Sequence, residues 1–485
     1  MGAYEAYRIH YVNTALGTGS DDGSSWANAY RTYEAAGSFR SPLSRALVAA
    51  SSGDEIWVAQ GTYYPTSGTD RFVYIELKNG VKVYGGFSGI ESSLSQRNIR
   101  SYPTILSGNI GDKAIRTDNS QQIVIAPTGA SARLDGFIIT DADGWSDGSG
   151  IFLSENANCS IANCIITNNS STGNSGGGVY SMNNASKFIN CVITGNSTAL
   201  YGGGFYFNYT LAGEFAIDFE NCVIAGNYVT DNPSSRGGGI STYVNNASTK
   251  LTLNLKNCTI VRNRSNGVGG GLALFQFSSL GVFANLYNTI LWDNEAFSNG
   301  SEAYGYSNTT LNFGYSNIRG GWNGARVVAT GSSYNFGGNI GSDNVADDPM
   351  FAISLEGTWT AAGTFNTVSG MTQLTVAANT FTAGELAGAY VCLDKDNTYR
   401  YYYILGNTAN LINVVGNCAA DAQISDTYRI VGASLKSKSR CIDAADGSIA
   451  TSADLYGRSR YNNNDIPDTG SGSVSYADMG AVENR

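Results

Sequence analysis

Three carboxylates, Asp141, Asp143 and Asp147, stand in one glycine-rich stretch, DADGWSDGSG at 141–150. Carboxylates two residues apart beside glycine are how calcium loops begin, because the turn lets short oxygen-bearing side chains converge on a hard cation. The stretch has no closing bidentate glutamate, and a surface turn built from Asp and Gly is the simpler reading. Calcium is therefore the one cofactor the residues suggest, with these three aspartates as its ligands. Of two other acid pairs, Asp218 and Glu220 alternate with Phe219, which puts both on one side of a single strand, and Asp293 with Glu295 come later on a different segment. A glycoside hydrolase needs carboxylates converging on one groove. Here the pairs lie on different segments, and solvated faces explain them as well. Arg236, Lys256, Arg262 and Arg264 are the cations a polysaccharide lyase would turn toward an acidic sugar. Scattered surface charge explains them equally. His10 lies far from all of these.

Eight cysteines form no C-x-x-C pair and no Cys/His cluster, which argues against zinc. Cys164, Cys191, Cys222 and Cys258 recur at one position of a repeat. That pattern fits an inward stack of small apolar side chains, where burial raises the thiol pKa and leaves it inert. Cys392 and Cys418 lie in a separate segment, and the sequence leaves open whether they pair.

The elements that must position these residues follow from the repeat. NCIITNN (163–169), NCVITGN (190–196), NCVIAGN (221–227), NCTIVRN (257–263) and NTILWDN (288–294) share one frame, with GFIITD (136–141) before them. A glycine marker keeps step: SGI ends at Ile151, GGGV at Val179, GGGF at Phe205, GGGI at Ile240 and GGGL at Leu272. Each unit holds three short β segments and cannot bury its apolar face alone, whereas stacked units can. The fold class is all-β, a right-handed parallel β-helix. Asn163, Asn190, Asn221, Asn257 and Asn288 then form a ladder at a bend, where Asn tolerates the left-handed conformation. Ile166, Ile193, Ile224 and Ile260 face one side, and Ile165, Val192, Val223 and Thr259 the other.

The exposed ends of a solenoid need covers. Ser41 as N-cap, Pro42 at the first helical position and a Leu43, Leu47, Ala50 stripe predict a short capping helix. Residues 358–432 carry longer alternating strands with Asp-Asn and Gly-Asn turns, which predicts an inserted antiparallel β module. The expected order is a strand at 1–8 like the end of a preceding unit, an N-terminal cap at 9–66, the β-helix at 67–357, the module at 358–432 and a closing segment at 433–485.

Charged residues make up 14% of the chain and the net charge is -10, with no basic stripe. Nucleic acid and anionic membranes are poor partners for such a surface. No apolar run approaches the ~18 residues of a spanning helix, so membrane insertion is not expected. No signal peptide is visible. The composition suits a mature or excised part of a secreted protein.

DDGSSWANAY (21–30), GDEIWVAQGTY (53–63), LKNGVKVYGGFSGIE (77–91), TILSGNIGD (104–112), the coils, SNIRGG (316–321), DDPMF (347–351), SRCIDAAD (439–446), DLYGRSR (454–460) and ADMGAVE (477–483) occur in that order. Together they resemble secreted bacterial β-helix proteins with polymorphic outer membrane protein-type Gly-Gly repeats. The resemblance implies a secreted or surface-exposed solenoid, in which a DMGAYE-type motif forms the last strand. It implies no particular reaction. The inserted module departs from the pattern by splitting the usual closing segment.

MGAVE at 479–483 is echoed by MGAYE at residues 1–5. Met1, Gly2, Ala3, Tyr4 and Glu5 are therefore candidates for self-association, with tandem units or neighbouring subunits meeting end to end. The expected function is a structural or adhesive extracellular rod, a filament subunit or surface spacer, and not an enzyme. The alternatives are a β-helix lyase or hydrolase and a non-catalytic glycan-binding module. Tyr201, Tyr206 and Tyr209 are the aromatic patch a carbohydrate partner would use.

Overall fold

The computed structural model describes residues 7–34, 40–145, 147–230, 233–341, 347–472 and 474–484. Met1 to Glu5, the expected self-association segment, lie outside the described residues.

The chain is a right-handed parallel β-helix. Three long sheets run along it, each built from one strand per coil. Sheet 1 has 11 strands, from Ile9–Val12 to Ser332–Asn335. Sheet 2 has 9, from Gly61–Tyr63 to Asn317–Ile318, and sheet 3 has 9, from Ile75–Glu76 to Val327–Ala329. A fourth sheet of 6 two-residue strands runs from Asp143–Gly144 to Glu295–Ala296. The register keeps like on like: Ile165 pairs Val192, Val192 pairs Val223, Val223 pairs Thr259 and Thr259 pairs Ile290. Coiling begins earlier than residue 67, because Ile9–Val12 and Glu55–Ala59 are already parallel neighbours in sheet 1.

Ile166, Ile193, Ile224, Ile260, Leu291 and Ile318 point inward and are fully buried. Each such side chain contributes about 2–3 kcal/mol by leaving water. The helix Pro42–Ala49 plugs the first coil. Its Ser41 cap accepts from the Ser44 amide at 3.1 Å, and Leu43, Ala46 and Leu47 join the core beside Val12, Ile56 and Ile75.

Seven antiparallel strands between Ser354 and Val431 form the module. Their period of two gives it two apolar faces. Trp359, Leu374, Val391, Tyr402, Ile404, Ile412 and Ile430 build its own core. Tyr390, Cys392, Tyr401, Tyr403 and Val415 face the solenoid and pack with Ile138, Val192, Val223 and Ile290 on the outside of sheet 2. Cys392 and Cys418 are both buried free thiols, so no bond joins them. Among the described residues no helix is long and apolar enough to cross a membrane.

The closing motif corrects an expectation. Residues 477–483 add no strand to a parallel sheet. They lie across the outer face of sheet 2, where the Gly480 amide donates to the Asn288 carbonyl at 2.7 Å and the Ala481 amide to Thr259 Oγ1 at 3.0 Å. Glu483 Oε2 takes Arg460 Nη1 at 2.6 Å, and Asp454 Oδ2 takes Arg458 Nε at 2.7 Å and the Glu483 amide at 3.1 Å. The DLYGRSR and ADMGAVE segments are thus two halves of one buried ionic clasp.

Candidate functional site: the left-handed corner and its cleft

Each coil turns sharply after its sheet 2 strand, at a residue with positive φ. The column reads Asp141 (66°), Asn168 (57°), Gly195 (64°), Gly226 (58°), Arg262 (55°), Asp293 (60°) and Gly320 (79°). Asp, Asn and Gly are the residues that visit this region readily, and a long side chain there is an outlier. Arg262 is that outlier.

The module docks along this column. Asp141 Oδ1 accepts the Asn417 amide at 2.8 Å and Asn168 Nδ2 at 2.7 Å. Thr194 Oγ1 donates to the Tyr401 carbonyl at 3.0 Å. At Gly195 an added Cβ would stand 2.2 Å from that carbonyl oxygen, and at Gly226 it would stand 2.4 Å from Tyr401 Cβ and 2.5 Å from its ring. Glycine at these corners is what lets Tyr401 approach.

Beyond Tyr401 the two bodies part around a cleft of about 200 Å³ lined by Arg262, Arg264, Asp293, Glu295, Lys395 and Arg429, among others. Arg262 Nη2 pairs Asp293 Oδ2 at 3.3 Å, and Arg319 also pairs Asp293. Arg264 Nη1 lies 3.8 Å from Glu295 Oε2, with its guanidinium 3.4 Å above the Tyr399 ring. Arg429 Nε and Lys395 Nζ both reach Glu356, at 2.7 Å and 3.7 Å. Asp293, Glu295 and Glu356 each have a cation against them. A larger cavity of about 360 Å³ lies along the same seam, with mainly apolar walls that include Ile165, Val192, Tyr403 and Tyr456.

Of the four candidate cations, Arg262 and Arg264 come together. Arg236 does not join them: it is held between Tyr201 and Phe275, at 4.9 Å and 3.7 Å from their rings. Lys256 ends a long sheet 1 strand. Asp218 is also on sheet 1, paired with Lys187 at 3.3 Å and accepting from Asn254 at 2.9 Å, so the two acid pairs never face each other. His10 bonds Asp54 at 3.1 Å at the start of the coil.

The three aspartates of 141–150 form no common site. Asp141 is fully buried in the module contact, and burial raises its carboxyl above the usual range. Asp143 lies 3.9 Å from Arg116 Nε. Asp147 accepts the Ser175 amide at 3.1 Å, and burial pushes its carboxyl up to about 6. Among the described residues no group of three or more His, Cys, Asp or Glu side chains is placed to hold a metal. Of the three tyrosines, Tyr201 and Tyr206 stack with ring centroids 5.6 Å apart. Tyr209 is fully buried with its hydroxyl on the Asn184 carbonyl at 2.8 Å, and Tyr206 is nearly so.

The Asn163 column is partly laddered. Asn190 Nδ2 donates to Asn163 at 3.1 Å and Asn221 Nδ2 to Asn190 at 3.0 Å. The run stops at Asn257, whose Nδ2 is buried without a partner, because Asn221 Oδ1 accepts from Thr451 Oγ1 at 2.7 Å instead. Asn288 clasps Asp446 through both its oxygen and its nitrogen. This column therefore also anchors the closing segment. The cysteine column is buried as expected. Each thiol donates to carbonyls of its own and the preceding coil, as Cys191 does to Ile189 and Ile161 at 3.4 Å. Burial raises Cys164, Cys191 and Cys222 well above the usual thiol value.

Sequence reasoning passed over a continuous inner ladder: Asn169, Asn196, Asn227, Asn263 and Asn294, all fully buried. Each Nδ2 donates to the next Oδ1 at 3.0 Å, and that oxygen also accepts the preceding residue's amide. The signal was present, since every repeat quoted above ends in this Asn. The third glycine of each marker packs here: a Cβ on Gly178, Gly204, Gly239 or Gly271 would meet the ladder amide at about 3.1–3.3 Å.

The fold and the clasped seam define a parallel β-helix protein with its own β module laid over one face. The chain belongs to the family described as "Protein of unknown function (DUF1565)", which it matches over residues 32–282. No curated protein matches it in sequence. Solved structures similar to it include pectate lyase Pel9A, at 14% identity and TM-score 0.40 over 99% of this chain and 97% of that one. Another is the bacteriophage CBA120 tailspike protein 4 enzymatically active domain, at 12% identity and TM-score 0.26 over 78% of this chain and 62% of that one. The tailspike protein gp49 from Pseudomonas phage LKA1 stands at 13% identity and TM-score 0.17, over 78% and 65%. The β-helix assignment itself rests on the strand pairing described above.

Proposed function

We propose that this protein is an extracellular structural or adhesive rod, a filament subunit or surface spacer that associates with further copies through the ends of its solenoid. One observation carries the reading. The outer face of sheet 2 is covered by the protein's own module and closing segment. Ile138, Val192, Val223 and Ile290 are buried beneath Tyr401, Tyr403, Met479 and Ala481. Asp293, Glu295 and Glu483 beside this face are held in ion pairs. What remains is a stiff stack of hydrogen-bonded ladders, a construction suited to bearing shape rather than to turning over substrate.

Incubating the purified protein with uronate-containing and neutral polysaccharides, with and without calcium, tests this. No new reducing ends and no unsaturated products are expected. Robust turnover abolished by Arg264→Ala would overturn the reading in favour of a lyase.

A further inference from the structure

We propose that the cleft beside Arg262 binds a small oxyanion, a carboxylate or sulfate group carried by a larger molecule. Three independent features converge there.

The first is conformational. Arg262 holds φ 55° at a corner that the other coils give to Asp, Asn or Gly. A long side chain in the left-handed region is strained, and strain retained at one position of a regular repeat marks a place where that side chain is needed. The second is an unmet bonding demand. Arg262 Nε and Nη1 are buried and have no hydrogen-bond partner. Its Nη2 faces Asp293 at 3.3 Å, so the acid meets only part of the guanidinium. A buried donor left unpaired is costly, and more so when it is charged. The third is space and charge. Arg262 lines a cleft of about 200 Å³ together with Arg264, Lys395 and Arg429. That volume is below the ~300 Å³ at which pockets take whole drug-sized ligands. It suits one acidic group and its immediate neighbours. The rest of the lining is Asp293 and Glu295, two carboxylates against four cations, with the uncharged Cys392, Thr398, Tyr399 and Tyr401.

The ion pairs do not cancel the site. Glu356 draws on Arg429 and Lys395 from outside the lining, and Arg264 is only loosely held by Glu295 at 3.8 Å. An incoming oxyanion would take the two idle Arg262 donors and share Arg264. This goes beyond the rod reading and does not depend on it, since a rod with or without turnover can hold an anion.

The test uses the whole chain and the variant Arg262→Asn, which restores the residue type found at the Asn168 corner. Unfolding midpoints are measured in sodium sulfate, sodium acetate and glucuronate, against sodium chloride of equal ionic strength and against glucose. The wild type is expected to gain stability in at least one oxyanion beyond the chloride control, and the sulfate and carboxylate arms show which group is preferred. Arg262→Asn should lose that gain, with apparent affinity lower by about tenfold or more, and should be at least as stable as wild type in chloride alone. An oxyanion response unchanged in Arg262→Asn, or no response in the wild type, overturns the proposal. A variant markedly less stable in chloride also overturns it, because Arg262 would then be a structural residue.

Discussion

Asn294 Nδ2 donates to Glu302 Oε2 at 2.6 Å, and this bond ends the inner asparagine ladder. Glu302 stands where the earlier coils have the third marker glycine. The next coil supplies no ladder asparagine, so the glutamate side chain fills the rung and supplies the last acceptor. Its other oxygen is buried and unpartnered, and burial pushes its pKa up to about 8.

The sign of the linkage follows. In the unfolded chain Glu302 ionises at the ordinary glutamate value of 4.5, while in the folded protein it stays protonated to about 8. Its stabilising contribution is complete below the lower value and is lost as pH rises through the upper one. Glu302→Gln keeps an acceptor and removes the titration. Urea unfolding should show the variant within about 1 kcal/mol of wild type at low pH, and more stable by a few kcal/mol near pH 9.

The two asparagine columns should respond differently to truncation. Asn227→Ala removes the acceptor of the Asn196 Nδ2 and strands buried groups on both sides. A loss of about 3 kcal/mol or more is expected by chemical denaturation. Asn190 is itself half-buried, and Asn190→Ala should cost about 1–2 kcal/mol, largely from the left-handed corner.

All eight cysteines are buried and free. A thiol reagent of ordinary size should label none of them rapidly in the native protein and all eight after denaturation. Cys191→Ser should be tolerated within about 1–2 kcal/mol, because Thr289 and Ser316 already fill the same column as hydroxyl donors.

The closing segment depends on Gly480, whose φ is 93°. An added Cβ would stand 2.8 Å from Thr259 Oγ1 and 2.9 Å from Ile290 Cδ1. Gly480→Ala should cost about 2 kcal/mol or more and loosen this segment from sheet 2. Limited proteolysis should then cut after residue 433 at a rate the wild type does not show.

The solenoid was legible because its physics is periodic. Every coil repeats the same inward isoleucine and the same corner asparagine, so one residue type reports on its neighbour a coil away. The capping helix was legible for local reasons, in Ser41, Pro42 and the leucine stripe. What resisted reading was whatever depends on contacts between distant segments. Nothing local to Gly195 or Gly226 tells that Tyr401, well over a hundred residues on, packs against both. Arg262 looked like surface charge, because its neighbours Lys395 and Arg429 are more than a hundred residues away in the chain. The resemblance placed 477–483 as a final strand, whereas the Glu483–Arg460 pair holds it across the coils. The three aspartates of 141–150 were adjacent in sequence and were separated by the turn they help to make.

Negative-stain imaging of the purified protein over a range of concentrations tests the rod reading most directly. Ser332–Asn335 is the last strand of sheet 1, the kind of edge that recruits a further strand, whereas at the other end the Tyr11 amide and carbonyl are already taken by Gly23 and Tyr30. Rods of uniform width that lengthen in steps of one subunit are expected as concentration rises. Discrete particles of a single subunit's length at every concentration would contradict end-to-end association and the filament reading with it.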